Sequence, residues 1–77
     1  MSPADRTRRI LREVLGVDAE RLTDDADLIN DLGADSLDAI ELLIEAESEF
    51  GIEITEEDAA ANSTVGEWIA LVERKLP

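Results

Sequence analysis

The segment from Asp31 to Phe50 constrains the fold most, because it contains a helix start followed by an uninterrupted helical pattern. Asp35 is a good N-cap, since its carboxylate can accept hydrogen bonds from the free backbone N–H groups of a first helical turn. Asp38 completes a pattern close to a capping box and lies at the positive end of the helix dipole. Ser36 is therefore predicted to be the first helical residue, with its hydroxyl exposed.

The predicted helix has apolar residues on two opposed sides, at about 100° of rotation per residue. The side expected to face the core carries Ala39, Leu42, Leu43, Ala46 and Phe50. The opposite side carries Leu37, Ile40 and Ile44, flanked by Glu41, Ser48 and Glu47. A small soluble protein seldom has enough neighbouring helices to bury both sides, although burial of both is the alternative. An apolar strip bordered by acidic residues favours a docking surface.

Caps and periodicity predict three further helices. Pro3 starts the first helix, and Gly16 is expected to end it in a left-handed conformation. Thr55 caps a short helix, and a capping box begins the last one. The predicted ranges are Pro3–Leu15, Glu56–Ala61 and Val65–Lys75. Residues 17–30 are predicted to be a packed loop with a turn around residues 19–22. The expected anchors of this loop are Val17, Leu22, Ala26, Leu28 and Ile29.

These elements predict an all-α fold, a four-helix bundle of three longer helices and one short third helix. Residues 52–54 alternate as a strand would, but the segment is too short and unpaired to form one. Residues 1–77 are expected to form a single domain with a modest aliphatic core, since Phe50 and Trp68 are the only aromatic residues.

The composition argues against an enzyme. The chain has no cysteine and no histidine, so it lacks a protein thiol and the commonest general base and metal ligand. Asp35 and Asp38 are ordinary carboxylates and poor bases for the Ser36 hydroxyl. The acidic residues between Asp24 and Asp35 do not follow the spacing of a calcium-binding loop. No catalytic residue and no metal site are therefore expected.

The net charge of −13 is concentrated in one part of the chain. Residues 31–63 contain eleven acidic residues and no basic residue. Nucleic acid is excluded as a partner by repulsion, whereas basic protein surfaces are complementary. The arginines of the first helix are expected to lie on a solvated face and to pair with acids elsewhere. No apolar run is long enough to span a bilayer and no signal peptide is recognisable, so a cytoplasmic protein is expected.

The segment Gly33–Asp38, followed by Ile40–Leu42, resembles the signature of acyl carrier proteins. The resemblance extends upstream through Leu15–Val17 and downstream to Thr64 and Val65, and so covers nearly the whole chain. It implies that the serine matched by Ser36 carries 4′-phosphopantetheine, derived from coenzyme A. It also implies that acyl groups travel on this arm as thioesters. At a helix N-terminus, free N–H groups and the dipole favour such a phosphodiester.

The resemblance implies a set of partners as well. A phosphopantetheinyl transferase would meet the start of the helix, and acyl-chain synthases and transferases would dock along it through basic surfaces. The implied docking residues are Asp35, Leu37, Asp38, Ile40, Glu41, Ile44 and Glu47. The docking face must stay available, so a monomer is expected.

The implied function is a carrier of acyl intermediates in fatty-acid or related acyl-chain biosynthesis. Two alternatives are a carrier of polyketide, aminoacyl or D-alanyl units and an unmodified acidic interaction module. Ala46 and Asn62 stand where the family commonly has larger aliphatic residues, and Trp68 is unusual. Trp68 is interpreted as core filler, and together these departures leave room for a specialised carrier.

Overall fold

The predicted helices form with the predicted bounds. The computed structural model describes residues 1–77 and contains four α-helices and one short 3-10 helix, at residues 19–21. The α-helices are α1 (Pro3–Leu15), α2 (Ser36–Phe50), α3 (Glu56–Ala61) and α4 (Val65–Lys75). None of them combines the length and the apolar composition needed to cross a membrane. The all-α fold with a short third helix is confirmed.

Local capping explains these bounds. Each of the four α-helices begins with a capping box, in which the N-cap side chain accepts from the N3 backbone N–H and the N3 carboxylate accepts in return. Such a cap stabilises a helix by about 1 kcal/mol. Gly16 and Gly51 follow α1 and α2 with φ of 67° and 63°, a left-handed conformation that glycine adopts without steric cost.

The core lies between α1, α2 and α4. Leu11, Leu42 and Leu71, one from each helix, are at most 1% exposed. Leu22, Ala26 and Leu28 of the long loop are buried against them, as predicted. The other two anchors differ, since Val17 is half-buried and Ile29 is 64% exposed.

The expected core side of α2 needs one correction. Leu42 and Ala46 are buried, and Leu43 and Phe50 are half-buried, but Ala39 is exposed. The reason is that Ala39 lines an open groove between α2 and α3 instead of packing in the core.

The long loop is fastened to the start of α4 by backbone hydrogen bonds. The N–H of Leu28 donates to the carbonyl of Ser63 at 2.9 Å, and the N–H of Val65 donates to the carbonyl of Ala26 at 3.1 Å. An isolated antiparallel bridge joins Asp27 and Thr64 between them. Residues 26–28 and 63–65 are therefore held side by side by their backbone hydrogen bonds.

Ion pairs join α1 to the end of α2. The carboxylate of Glu49 contacts Arg6 at 2.6 Å and Arg9 at 3.1 Å, and Arg6 also lies over the Phe50 ring, 4.6 Å from its centroid. Arg8 pairs with Asp24 at 2.7 Å. The expected pairing of the arginines with distant acids is confirmed. Pairs this exposed contribute about 1 kcal/mol or less each, so they orient the helices more than they stabilise them.

Candidate functional site

Ser36 is the first residue of α2, and its side chain is exposed. The two residues that cap the helix lie on either side of it. The N–H of Asp38 donates to Asp35 Oδ1 at 3.0 Å, and the N–H of Asp35 donates to Asp38 Oδ2 at 3.1 Å. These carboxylates are engaged in fixing the turn, while the Ser36 hydroxyl forms no hydrogen bond with the protein. Ser36 is therefore presented outwards on a rigid helix start.

The turn before α2 also depends on one glycine. Gly33 has a φ of 76°, in the left-handed region that side chains rarely adopt. This turn lets the N–H of Ala34 donate to the carbonyl of Leu28 at 2.8 Å, which ties the approach to Ser36 to the anchored loop. The position of Ser36 is thus fixed both by the cap of α2 and by the turn that precedes it.

A groove of about 450 Å³ opens beside Ser36, and ten of its fifteen lining residues are hydrophobic. One wall belongs to α2 and contains Ser36, Ala39, Ile40, Leu42 and Leu43. Facing residues come from the loop, α3 and the start of α4, among them Leu28, Ile29, Ala59, Asn62, Ser63 and Trp68. Ala39 and Ile29, which do not join the core, both line this groove. An apolar groove next to an exposed hydroxyl can shelter a chain attached at that hydroxyl.

The second apolar side of α2 faces solvent. Leu37 is 69% exposed, Ile40 47% and Ile44 55%, and Glu41 is exposed beside them. We call Leu37, Ile40 and Ile44 the outer stripe. Glu47, like Asp38, is half-buried, and its Oε2 accepts from the N–H of Ile54 at 2.8 Å. Glu47 thus holds the segment after α2 in place.

Comparisons with known proteins agree with this arrangement. Residues 5–72 match the family described as "Phosphopantetheine attachment site". The chain belongs to the acyl carrier protein family. It is 45% identical to the acyl carrier protein of Thermotoga maritima over 92% of this chain and 88% of the relative. It is also 45% identical to the acyl carrier protein of Solidesulfovibrio magneticus, over 97% of this chain and 96% of the relative.

A solved structure shows the same fold. A candidate acyl carrier protein of Mycobacterium tuberculosis superposes with a TM-score of 0.87 at 32% sequence identity, covering 95% of this chain and 97% of that one. Membership of the acyl carrier protein family makes this chain a carrier and not a catalyst, and its prosthetic group is covalently attached 4′-phosphopantetheine.

The residues around Ser36 fit this group. The hydroxyl is exposed and free of hydrogen bonds, and it stands at a helix N-terminus, where the dipole favours an anion such as a phosphodiester. The neighbouring groove offers apolar surface to whatever the arm carries. Sequence reasoning missed two parts of this site, the groove walls at Ile29 and Trp68, because both lie on segments distant in sequence from α2 that only the tertiary fold brings to the groove.

The outer wall of the groove, α3, is held by a few polar contacts. Lys75 Nζ lies 2.9 Å from Asp58 Oδ2, and the side-chain amide of Asn62 donates to the carbonyl of Asp58 at 2.6 Å. None of the six residues of α3 is buried. These contacts fix α3, whose Ala59 also packs against the core.

We expect the Asp58–Lys75 pair to be lost in acid. The hydrogen bond from Lys75, followed by the N–H of Thr55, lowers the pKa of the Asp58 carboxyl. The N–H groups of Ser63 and Thr64 likewise lower the pKa of Glu67. Because both folded-state pKa values lie below the unfolded ones, this stabilisation is fully present above about pH 5 and is lost as the pH falls through the folded values.

Carboxyl-carbon NMR titration checks this prediction. In Lys75→Gln, the pKa of Asp58 should rise towards its ordinary value while that of Glu67 stays unchanged, because Glu67 has its own donors. Equal Asp58 midpoints in the wild type and in the variant would contradict the proposed role of Lys75.

Proposed function

We propose that Ser36 bears the 4′-phosphopantetheine arm and that residues 1–77, as a single carrier domain, deliver acyl intermediates to enzymes of fatty-acid or related acyl-chain biosynthesis in the cytoplasm. The observation that carries the proposal is the placement of Ser36 between a capped helix start and an apolar groove. Ser63 also lines the groove, but its hydroxyl donates to Glu67 at 3.3 Å. Ser36 is thus the groove-lining serine whose hydroxyl is free.

The residues around Ser36 define what the chain contributes to attachment. The Ser36 oxygen forms the new bond to the pantetheine-bearing phosphate of coenzyme A, while the bond from that phosphate to the rest of the nucleotide breaks. The hydroxyl proton must leave to a base of the transferase, because the chain has no histidine and Asp35 and Asp38 are held in the cap. When bound, the arm supplies a thiol that carries acyl groups as thioesters.

The outer stripe and the acidic residues around it form the proposed docking face. Leu37, Ile40 and Ile44 offer apolar contacts, and the side chains of Asp35 and Glu41 add negative charge at the same surface. Residues 31–63 carry no positive charge to oppose the approach of a basic partner. Such a face supports fast, salt-sensitive and transient association, which a carrier that visits several enzymes requires. Asp38 and Glu47 contribute chiefly through the local structure they hold.

The test is the intact mass of the protein after incubation with coenzyme A, magnesium and a broad-specificity phosphopantetheinyl transferase. We expect a gain of one phosphopantetheine, and tandem mass spectrometry of a proteolytic peptide should locate it at Ser36 and not at Ser48 or Ser63. No gain by a protein whose circular dichroism is helical, or a gain at another serine, would overturn the assignment.

A further inference from the structure

Ile29 is a large apolar side chain on the surface of the long loop. It is 64% exposed, and the other large apolar residues exposed in this way are Met1 and the three residues of the outer stripe. A single exposed apolar residue is normal on a protein surface. Ile29, however, lines the groove beside α2 together with Ile40 of the outer stripe. The exposed apolar surface therefore continues from α2 across the groove onto the loop.

Hydrogen bonds hold the backbone on both sides of Ile29. Asp27 Oδ1 accepts from the N–H of Ile29 at 3.0 Å and from the N–H of Asn30 at 2.8 Å. The carbonyl of Ile29 accepts from the N–H of Gly33 at 3.2 Å. The preceding residue, Leu28, is buried in the core. Ile29 is thus displayed on a backbone that is already ordered, so a partner that contacts it loses little affinity to the ordering of the loop.

The surface around Ile29 is acidic. Residues 22–35 contain five aspartates and no basic residue. One positive side chain approaches from outside this range, since Arg21 donates to the carbonyl of Asp31 at 2.6 Å. The region keeps a net negative charge, like the outer side of α2. A second copy of this chain, with its own net charge of −13, is repelled by this surface, whereas a partner with a basic rim around an apolar centre is complementary to it.

The position of Ser36 places one partner over both sides of the groove. Ser36 and Ile29 are both exposed, and both line the groove. An enzyme that modifies Ser36 must bring its active site to the serine hydroxyl. Even a small transient interface covers on the order of 500 Å² on each partner, which is far more than one side chain. An enzyme that docks on the outer stripe and reaches Ser36 therefore also meets the loop at Ile29.

We infer that Ile29 is a further docking residue, and that the phosphopantetheinyl transferase contacts it together with the outer stripe of α2. This inference rests on the proposed attachment of the arm at Ser36. The partner supplies apolar surface to Ile29 and basic side chains to the aspartates around it. An apolar stripe along one helix allows a partner to slide or rotate, whereas a second contact across the groove fixes its orientation over Ser36.

Ile29→Ala tests this contact by the kinetics of phosphopantetheine transfer. The catalytic efficiency should fall by about fivefold, mainly through a higher KM, because the lost contact is made equally in the bound complex and in the transition state. The melting temperature should stay close to that of the wild type, because the side chain is largely exposed. The matched control is Asn30→Ala. Asn30 is exposed and bonded to the same Asp27 oxygen, but it does not line the groove, so this variant should be modified at the wild-type efficiency.

Amide cross-saturation observes the same contact without any substitution. The perdeuterated, ¹⁵N-labelled chain is mixed with protonated transferase in the absence of coenzyme A, so that no transfer occurs. Irradiation of the aliphatic protons of the transferase should weaken the amide signals of Ile29, Ile40 and Ile44. The amide signals of Ile10 and Leu11, which are buried in α1, should keep their intensity.

The possible outcomes separate the inference from the function on which it rests. Saturation of α2 without saturation of Ile29, or wild-type efficiency of Ile29→Ala, would overturn the inference and leave the attachment at Ser36 standing. A dimer in sedimentation, with the Ile29 signal broadened in the absence of transferase, would assign this residue to self-association and would also overturn the inference. Failure of the wild type to gain phosphopantetheine would overturn the inference together with the assignment of Ser36.

Discussion

Ser36→Ala should abolish the gain of phosphopantetheine completely while leaving the fold intact. The expected loss is complete because the variant removes the oxygen that forms the new bond. The fold should survive because the Ser36 side chain is exposed, makes no hydrogen bond, and is not the residue that caps α2. Alanine is also the best helix former, so the free energy of unfolding should change by about 0.5 kcal/mol or less.

Two other serines serve as matched controls. Ser48 is exposed on the same helix, and Ser63 lines the same groove with its hydroxyl directed to Glu67. Ser48→Ala and Ser63→Ala should gain the full mass of one phosphopantetheine at a rate close to that of the wild type. Persistent modification of Ser36→Ala, or loss of modification in either control, would refute the assignment of the arm to Ser36.

The helix bounds could be predicted from the sequence because the interactions that set them are local. Asp35 and Asp38 are three residues apart, and their reciprocal hydrogen bonds need no other part of the chain. The same applies to Gly16 and Gly51, whose left-handed conformations end α1 and α2. The exposed position of Ser36 follows from the same local rules. Its identity as the attachment residue comes from the family resemblance and the proposal built on it.

The resemblance implies an aliphatic interior that can receive an acyl chain, but the residues that line the groove could not be predicted, because they depend on which segments meet. Ala39 has the periodicity of a core residue, yet it is exposed because it lines the open groove between α2 and α3. The fastening of residues 26–28 to residues 63–65 has no sequence signal, since it uses backbone groups alone. Glu47 is another residue whose role the helical pattern does not predict. It lies on the acidic side of a helical wheel, but its carboxylate is used by the N–H of Ile54.

The sequence predicts that Trp68 fills the core, and its 3% exposure confirms the burial, while the residue also lines the groove. A hydrophobic pattern identifies which face of α4 is buried, but it does not say what each buried atom contacts. Whether its indole N–H has a protein acceptor depends on tertiary contacts, which the hydrophobic pattern does not encode. Polar atoms on buried residues are therefore where a structure adds most to a sequence-based description of this family member.

Leu71→Ala should lower the free energy of unfolding by about 2–5 kcal/mol, the range for a large-to-small change at a fully buried position. Leu71 lies on the buried face of α4, where it is 0% exposed and packs in the hydrophobic core. A domain of 77 residues has a modest core, and total stabilities of small domains are about 5–15 kcal/mol. The variant should therefore unfold at a much lower urea concentration, with little change in the slope of the transition.

Leu37→Ala is the same chemical change on the outer stripe, and it should give the opposite pair of results. Leu37 is 69% exposed, so its truncation should alter the free energy of unfolding by about 0.5 kcal/mol or less. If Leu37 is an anchor of the docking face, the catalytic efficiency of phosphopantetheinyl transfer should fall by about tenfold, the effect of losing about 1.4 kcal/mol of contact.

The control is Leu71→Ala, which should be modified at the wild-type rate at temperatures where it remains folded. A stability loss in Leu37→Ala as large as that in Leu71→Ala would show that the outer stripe belongs to the core. Unchanged stability with unchanged transfer would remove Leu37 from the docking face.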